Sequence, residues 1–130
     1  MIERTRRNED ELAAIREIAN GGNDQPVLKL NLNRYSVEAG YPDGDNYRQY
    51  MSVLEALLPR VGAKVLWRTP VFGQPVGEQR IDEILAAWYP THRAFLELPD
   101  APGAPENFRL RRTCIDYAVI HRCLGDGPFC

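Results

Sequence analysis

The chain has 130 residues, 44% of them hydrophobic and 26% charged, and a formal net charge of −2. That length suits one domain of ordinary globular composition. The charge balance excludes the clustered basic excess of a nucleic-acid binder, and no apolar run approaches the ~20 residues that span a bilayer.

The first residues, Met1 to Asp10, are charged and polar, unlike a signal peptide. Residues 1–7 read as a frayed start. Asn8 then precedes Glu9, Asp10 and Glu11, the pattern of an N-cap with acidic residues in the first turn. Leu12, Ile15 and Ala19 give a short apolar stripe, and Gly21-Gly22 stops the helix.

Residues 27–35 alternate strictly. Leu28, Leu30 and Leu32 point one way; Lys29, Asn31, Asn33 and Tyr35 point the other. The pattern predicts a strand with its leucines in a core and its polar face free for solvent or for the wall of a cavity. Gly40 to Asp45 is a dense turn cluster. Tyr47, Tyr50, Met51, Leu54, Leu57, Leu58 and Val61 then form one helical stripe. Asp43 or Asp45 is expected to cap that helix, Pro59 to kink it or end it early, and Gly62 to close it.

Lys64 to Val71 reads as a strand, Gly73, Pro75 and Gly77 as a hairpin loop, and Ile81 to Tyr89 as the returning strand. Thr91 is placed to cap a helix over residues 92–98. Prolines at 99, 102 and 105 break the chain, with one helical turn expected over 106–112. Cys114 to His121 is the last strand, with Ile115, Tyr117 and Val119 on one face, and the tail from Gly125 reads as a turn.

The predicted fold class is therefore α+β: a ferredoxin-like βαββαβ unit, with an extra N-terminal helix, in a single domain over residues 1–130. Helices on one face of a four-stranded sheet leave the other face bare. A homodimer that pairs the two bare sheet faces is the expected assembly. The odd cysteine count, Cys114, Cys123 and Cys130, suits a reducing compartment better than a disulfide framework, so the expected location is cytoplasmic.

Several motifs resemble a known family in order and spacing. Pro26-Val27-Leu28-x-Leu30-Asn31-Leu32-x-Arg34-Tyr35 is similar to its first strand. Tyr41-Pro42-Asp43-Gly44, followed by Tyr47-x-x-Tyr50, resembles its approach to the long helix. Leu58-x-x-Val61-Gly62-Ala63-x-Val65-Leu66-Trp67-Arg68 and Tyr89-Pro90-x-x-x-Ala94-Phe95-Leu96 resemble two later segments. The family is the uncharacterised one called domain of unknown function thirteen-thirty, of the dimeric α+β barrel superfamily, and the likeness spans roughly residues 8–121. It implies a ferredoxin-like protomer and a dimer whose sheets close a barrel. It implies no reaction, although the superfamily includes cofactor-independent antibiotic biosynthesis monooxygenases, muconolactone isomerase and haem-degrading enzymes. The chain departs from the pattern at Asn33, at the proline-rich break over residues 99–105, and in the tail beyond His121.

Asn31, Asn33 and Tyr35 share one strand face, where amides and a phenol orient a carbonyl or enol oxygen without a change of charge. The commoner role of such groups is to satisfy one another inside the protein, here across the dimer barrel. Trp67 and Trp88, on the central hairpin, are candidates for a pocket wall or for core. Tyr47 and Tyr50 on the long helix face the sheet and are more often core than site, though Tyr47, at the helix start, could reach a ligand. His92 sits in a first turn, where the helix dipole disfavours its charged form; it is either a usable base or a solvated surface histidine, the latter being commoner. Asp116 needs an arginine partner such as Arg34 or Arg68. Arg109, Arg111 and Arg112 form a small basic cluster, read as a solvated face. His121, Cys123 and Cys130 are too few and too spread for a structural zinc site.

The resulting expectation assigns catalysis to His92 and Tyr35 and ligand binding to Asn31, Asn33, Trp67 and Tyr47, with no metal and no cofactor. The substrate would carry a carbonyl or enol, with a monooxygenase- or isomerase-like reaction. The alternative is a non-catalytic small-ligand-binding or stress-associated homodimer.

Overall fold

The protein is described by a computed structural model covering residues 7–126. The segments 1–6 and 127–130, with Cys130 and most of the expected tail turn, lie outside the described residues.

Helix α1 (Glu9–Asn20) starts at Asn8 and ends at Gly21, whose N–H reaches the Ile18 carbonyl. It buries Ile15 and Ala19 and packs against α3 (His92–Glu97). Strand β1 covers Val27–Tyr35. Helix α2 runs Asp45–Leu57 and passes into a tighter turn over Leu58–Val61. Pro59 causes that change, since it has no N–H to continue the α-helical ladder. Gly62, at φ 79°, closes the turn.

The expected aspartate cap of α2 is not made. Gly44 is the cap residue and Asp45 the first helical one, with no side-chain cap bond. Backbone crowding explains the glycine: a Cβ on Gly44 would lie 2.6 Å from the Ala39 carbonyl oxygen and from the Gly40 Cα. This close crossing folds Tyr41 back onto the ring of Tyr35, at 4.9 Å between centroids.

Strands β2 (Lys64–Pro70) and β3 (Glu83–Tyr89) form the hairpin, joined by a long loop over residues 71–82. Thr91 caps α3, its Oγ1 accepting from the Ala94 N–H at 3.0 Å. The segment 104–114 is a full helix, α4 (Ala104–Cys114), where a single turn over 106–112 was expected. Pro105 lies in its first turn, where a missing N–H costs nothing, so the proline that reads as a breaker is a helix start. Strand β4 runs Ile115–Leu124, past the expected end at His121, because its pairing with β1 continues to Leu124.

All pairings are antiparallel and the sheet order is β2-β3-β1-β4, the ferredoxin-like arrangement with α4 added before the last strand. Helices α2 and α4 pack on each other and on one sheet face. The core joins Tyr47, Tyr50, Met51, Leu57 and Leu58 to Leu110 and Cys114 of α4 and to Val27, Tyr35, Leu85, Ala87 and Tyr89 of the sheet.

The two faces of β1 are the reverse of the expectation. Val27, Lys29, Asn31, Asn33 and Tyr35 are buried beneath the helices. Leu28, Leu30 and Leu32 are only half-buried, on the face no helix covers. The cross-strand register puts Trp88, Ala86 and Ile84 of β3 and Cys123, His121 and Val119 of β4 on that same open face. Asn31, Asn33 and Tyr35 lie inward, where they find hydrogen-bond partners.

Candidate functional site

The inward polar face of β1 meets β3 at Glu83, which pairs directly with Asn33 and is 3% exposed. A carboxylate so buried needs hydrogen-bond donors. Two phenols supply them. The Tyr35 hydroxyl donates to Glu83 Oε1 at 2.6 Å and the Tyr47 hydroxyl to Oε2 at 2.7 Å. Each phenol is anchored in turn: Asn33 Nδ2 donates to Tyr35 at 3.3 Å and Arg68 Nη1 to Tyr47 at 2.8 Å. The aromatic rings of Tyr35, Tyr41 and Tyr47 pack on one another with centroids 4.8–5.0 Å apart.

Burial, and then the neighbouring Glu83, push the Tyr35 and Tyr47 phenols well above the ordinary tyrosine range, so both stay protonated. Asn33 Oδ1 is buried with no partner in this cluster. Arg68 makes a second contact outward, 3.6 Å from Glu55 on α2.

A cleft of about 810 Å³ opens beside this cluster, between α2, β2 and the 71–82 loop. Tyr41, Tyr47, Arg68, Asp82 and Glu83 line its polar side; Met51, Val71 and Phe72 contribute apolar wall. Phe72 is 96% exposed at the rim. The cleft therefore offers a guanidinium and a phenol beside a buried carboxylate, a set suited to a small molecule carrying a carbonyl or a carboxylate.

The residues singled out in the sequence are divided by the fold. Asn33, Tyr35 and Tyr47 come together around Glu83. Asn31 lies further along the same face, where its Nδ2 donates to the Lys29 carbonyl of its own strand at 3.1 Å and to the Leu85 carbonyl of β3 at 3.4 Å. Trp67 is on the open sheet face, in the cross-strand row of Ala86, and does not line the cleft.

His92 stands at the Val27 end of the sheet, the opposite end of β1 from Tyr35. The solvated surface position expected for it is not what the fold gives: His92 is 4% exposed. Its Nδ1 lies 3.0 Å from Asp24 Oδ1 and 3.1 Å from the Gln25 carbonyl. Asp24 also accepts from the backbone N–H groups of His92 and Arg93, at 2.8 and 3.0 Å, so the loop before β1 caps α3.

Burial pushes the Asp24 carboxyl up, but the N–H groups of His92, Arg93 and Gln25 and the His92 ring outweigh it, and its net shift is downward. A carboxyl depressed in the folded state contributes stability that is present above its unfolded value, about 4, and is lost as pH falls through the lower folded value. Asp24→Asn is therefore expected to lower stability at pH 7 by about 1–2 kcal/mol, and by less in acid. Urea unfolding at pH 7 and in acid checks this; an equal loss at both would show that the charge of Asp24 is not what caps α3.

Glu83 escaped the sequence reading, and Arg68 was considered only as a partner for Asp116. Asp116 in fact pairs with Arg34, Nε to Oδ2 at 3.0 Å, on the open face. The available signal was a lone glutamate in the apolar strand Glu83–Tyr89, beside a strand whose polar residues shared one parity. In the basic cluster, Arg111 is drawn inward to the Tyr50 hydroxyl at 3.1 Å, while Arg109 pairs with Glu106 at the surface. Among the described residues no group of three or more His, Cys, Asp or Glu side chains could hold a metal ion, and no helix is long and apolar enough to cross a membrane.

Fold and cleft together define a ferredoxin-like α+β protein with a tyrosine–glutamate–arginine cluster under its helices. Over nearly its whole length it is similar to the RPA0582 protein of Rhodopseudomonas palustris, a protein of unknown function: 26% identity, 96% of this chain and 98% of that chain, TM-score 0.76. The methylated form of that protein matches at TM-score 0.77 over 98% of both chains. A dabb family protein with a ferredoxin-like fold, from Mesorhizobium loti, matches 79% of this chain and 99% of its own at 8% identity and TM-score 0.57, a likeness of fold alone. No protein-family model matches the chain, and no curated protein matches it.

Proposed function

We propose that the protein is a homodimer, joined through its open sheet faces, that binds a small enolisable carbonyl compound in the Tyr47–Arg68 cleft and catalyses proton transfer on it without a bound cofactor. The observation that carries this reading is the buried Glu83 carboxylate, joined through Tyr47 to Arg68 at the floor of the cleft. The membership suggested by the sequence motifs, in the thirteen-thirty family of the dimeric α+β barrels, is part of the same proposal, as is a cytoplasmic location.

The chemistry follows from the hydrogen bonds. Arg68 holds the substrate oxygen. The Tyr47 oxygen accepts the proton from the carbon beside the carbonyl while passing its own proton to Glu83, and the C–H electron pair moves into the carbonyl to give an enolate. Proton return to another atom completes an isomerisation with no oxidant or reductant. Tyr35 and Asn33 position Glu83. His92, remote from the cleft, is left with the structural role of joining α3 to the loop before β1.

The second reading, a dimer that only binds, is favoured by the fact that both Glu83 oxygens are already occupied by phenols. Phenylpyruvate is a suitable probe, because the cleft combines aromatic walls with arginine. Its methylene protons should exchange into deuterated water faster with the protein than in buffer, and Tyr47→Phe should slow that exchange by about 10²-fold or more. Exchange no faster than in buffer, with phenylpyruvate still protecting the protein against unfolding, would replace catalysis by binding. The absence of both effects would sink the cleft as a carbonyl site.

A further inference from the structure

The Glu83 cluster leaves unused a second group of buried charges at the other end of β1. Lys29 is 5% exposed on the helix-covered face. Its Nζ sits 3.9 Å from the centroid of the Phe95 ring of α3 and has no hydrogen bond or ion pair among the described residues.

Three groups lie on its side of the sheet. Arg122 of β4 is its direct cross-strand neighbour. Glu11 of α1 is bound to Arg122 at 2.6 and 2.8 Å, its charge committed to the guanidinium. His92 of α3 places Nε2 3.5 Å from Arg122. Lys29 thus lies between a second cation and an aromatic face, and the Glu11 carboxylate is already paired.

We propose that Lys29 is a reactive-amine site that condenses reversibly with a small aldehyde, independently of the Tyr47–Arg68 cleft. The neutral amine attacks the carbonyl carbon, and the carbonyl π pair moves to oxygen, which takes up the proton that nitrogen gives away. Loss of water then leaves the C=N bond, with nothing oxidised or reduced. Desolvation, offset by Glu11 and reinforced by Arg122, lowers the Lys29 ammonium to about 8, so the nucleophilic form is populated near neutral pH. Arg122 is already paired with the Glu11 carboxylate through Nε and Nη2, so the ligand is defined by its aldehyde carbon and not by an anion contact.

The sequence supplies its own control, since Lys29 and Lys64 are the only lysines and Lys64 is exposed. Glyoxylate with cyanoborohydride, which reduces the imine, should leave a carboxymethyl group on Lys29 at least tenfold faster than on Lys64 at pH 7.5, as read by peptide mass mapping. In denaturant the two should label alike. A ratio below tenfold in the folded protein, or no label on Lys29, overturns the proposal. Lys29→Met must lose the labelled peptide, and phenylpyruvate exchange at the cleft should continue in that variant.

Discussion

Replacing Glu83 with alanine is expected to destabilise the protein by about 3–6 kcal/mol, the largest effect of any single substitution in the candidate site. Two buried phenol donors lose a charged acceptor, and hydrogen bonds to charged groups are worth about 1.5–3 kcal/mol each. Tyr35, 6% exposed, cannot turn to water, and Tyr47, 5% exposed, is locked with it in a ring cluster with Tyr41. Glu83→Gln keeps one acceptor oxygen and should cost roughly half as much, which makes it the better variant for testing chemistry. Denaturant unfolding of both measures the difference. A loss under about 1 kcal/mol for Glu83→Ala would mean that the phenols do not depend on this carboxylate.

The same cluster sets the alkaline limit of stability. Burial first, then Glu83, raises the Tyr35 and Tyr47 phenols, and burial raises Tyr89. A raised folded value contributes stability that is complete below the unfolded tyrosine value of about 10 and is lost as pH climbs above it. Tyrosinate absorbance from these side chains should accordingly appear together with loss of helical circular dichroism, and not before it.

Leu30→Asp is expected to convert the proposed dimer into a folded monomer. Leu30 lies on the central strand, in one cross-strand row with Ala86 and His121 of the open face. In a two-fold assembly the substitution occurs on both sides, burying two unpaired carboxylates. At about 3 kcal/mol or more this weakens association at least 100-fold. The protomer should still fold, because Leu30 is outside the helix-covered core. Sedimentation at micromolar concentration tests the idea. A wild-type monomer would remove the dimer, and a Leu30→Asp dimer would move its interface off this face.

Much of this protein was legible in its sequence. Alternation over 27–35 places β1 without error at either end. The apolar stripe from Tyr47 and the closing Gly62 mark α2 and its terminal turn, and Thr91 marks α3. These signals are local: period, cap and turn each act over a few residues. The order of the elements then leaves few topologies, and the ferredoxin-like sheet is the one observed.

What only the tertiary structure decided is which way the alternation faces and what meets across it. Period two separates odd from even residues but carries nothing about the side on which the helices lie, so the leucines read as core and the polar face as free. The helices cover the polar face because Glu83, Tyr47 and Arg68, brought from two other strands and a helix, satisfy its side chains there. That pairing is non-local, and it also carries Tyr35 away from His92: two residues assigned to one site stand at opposite ends of one strand. Composition and period settle where strands and helices form; the partner that makes a buried polar residue affordable is chosen by the register of distant strands.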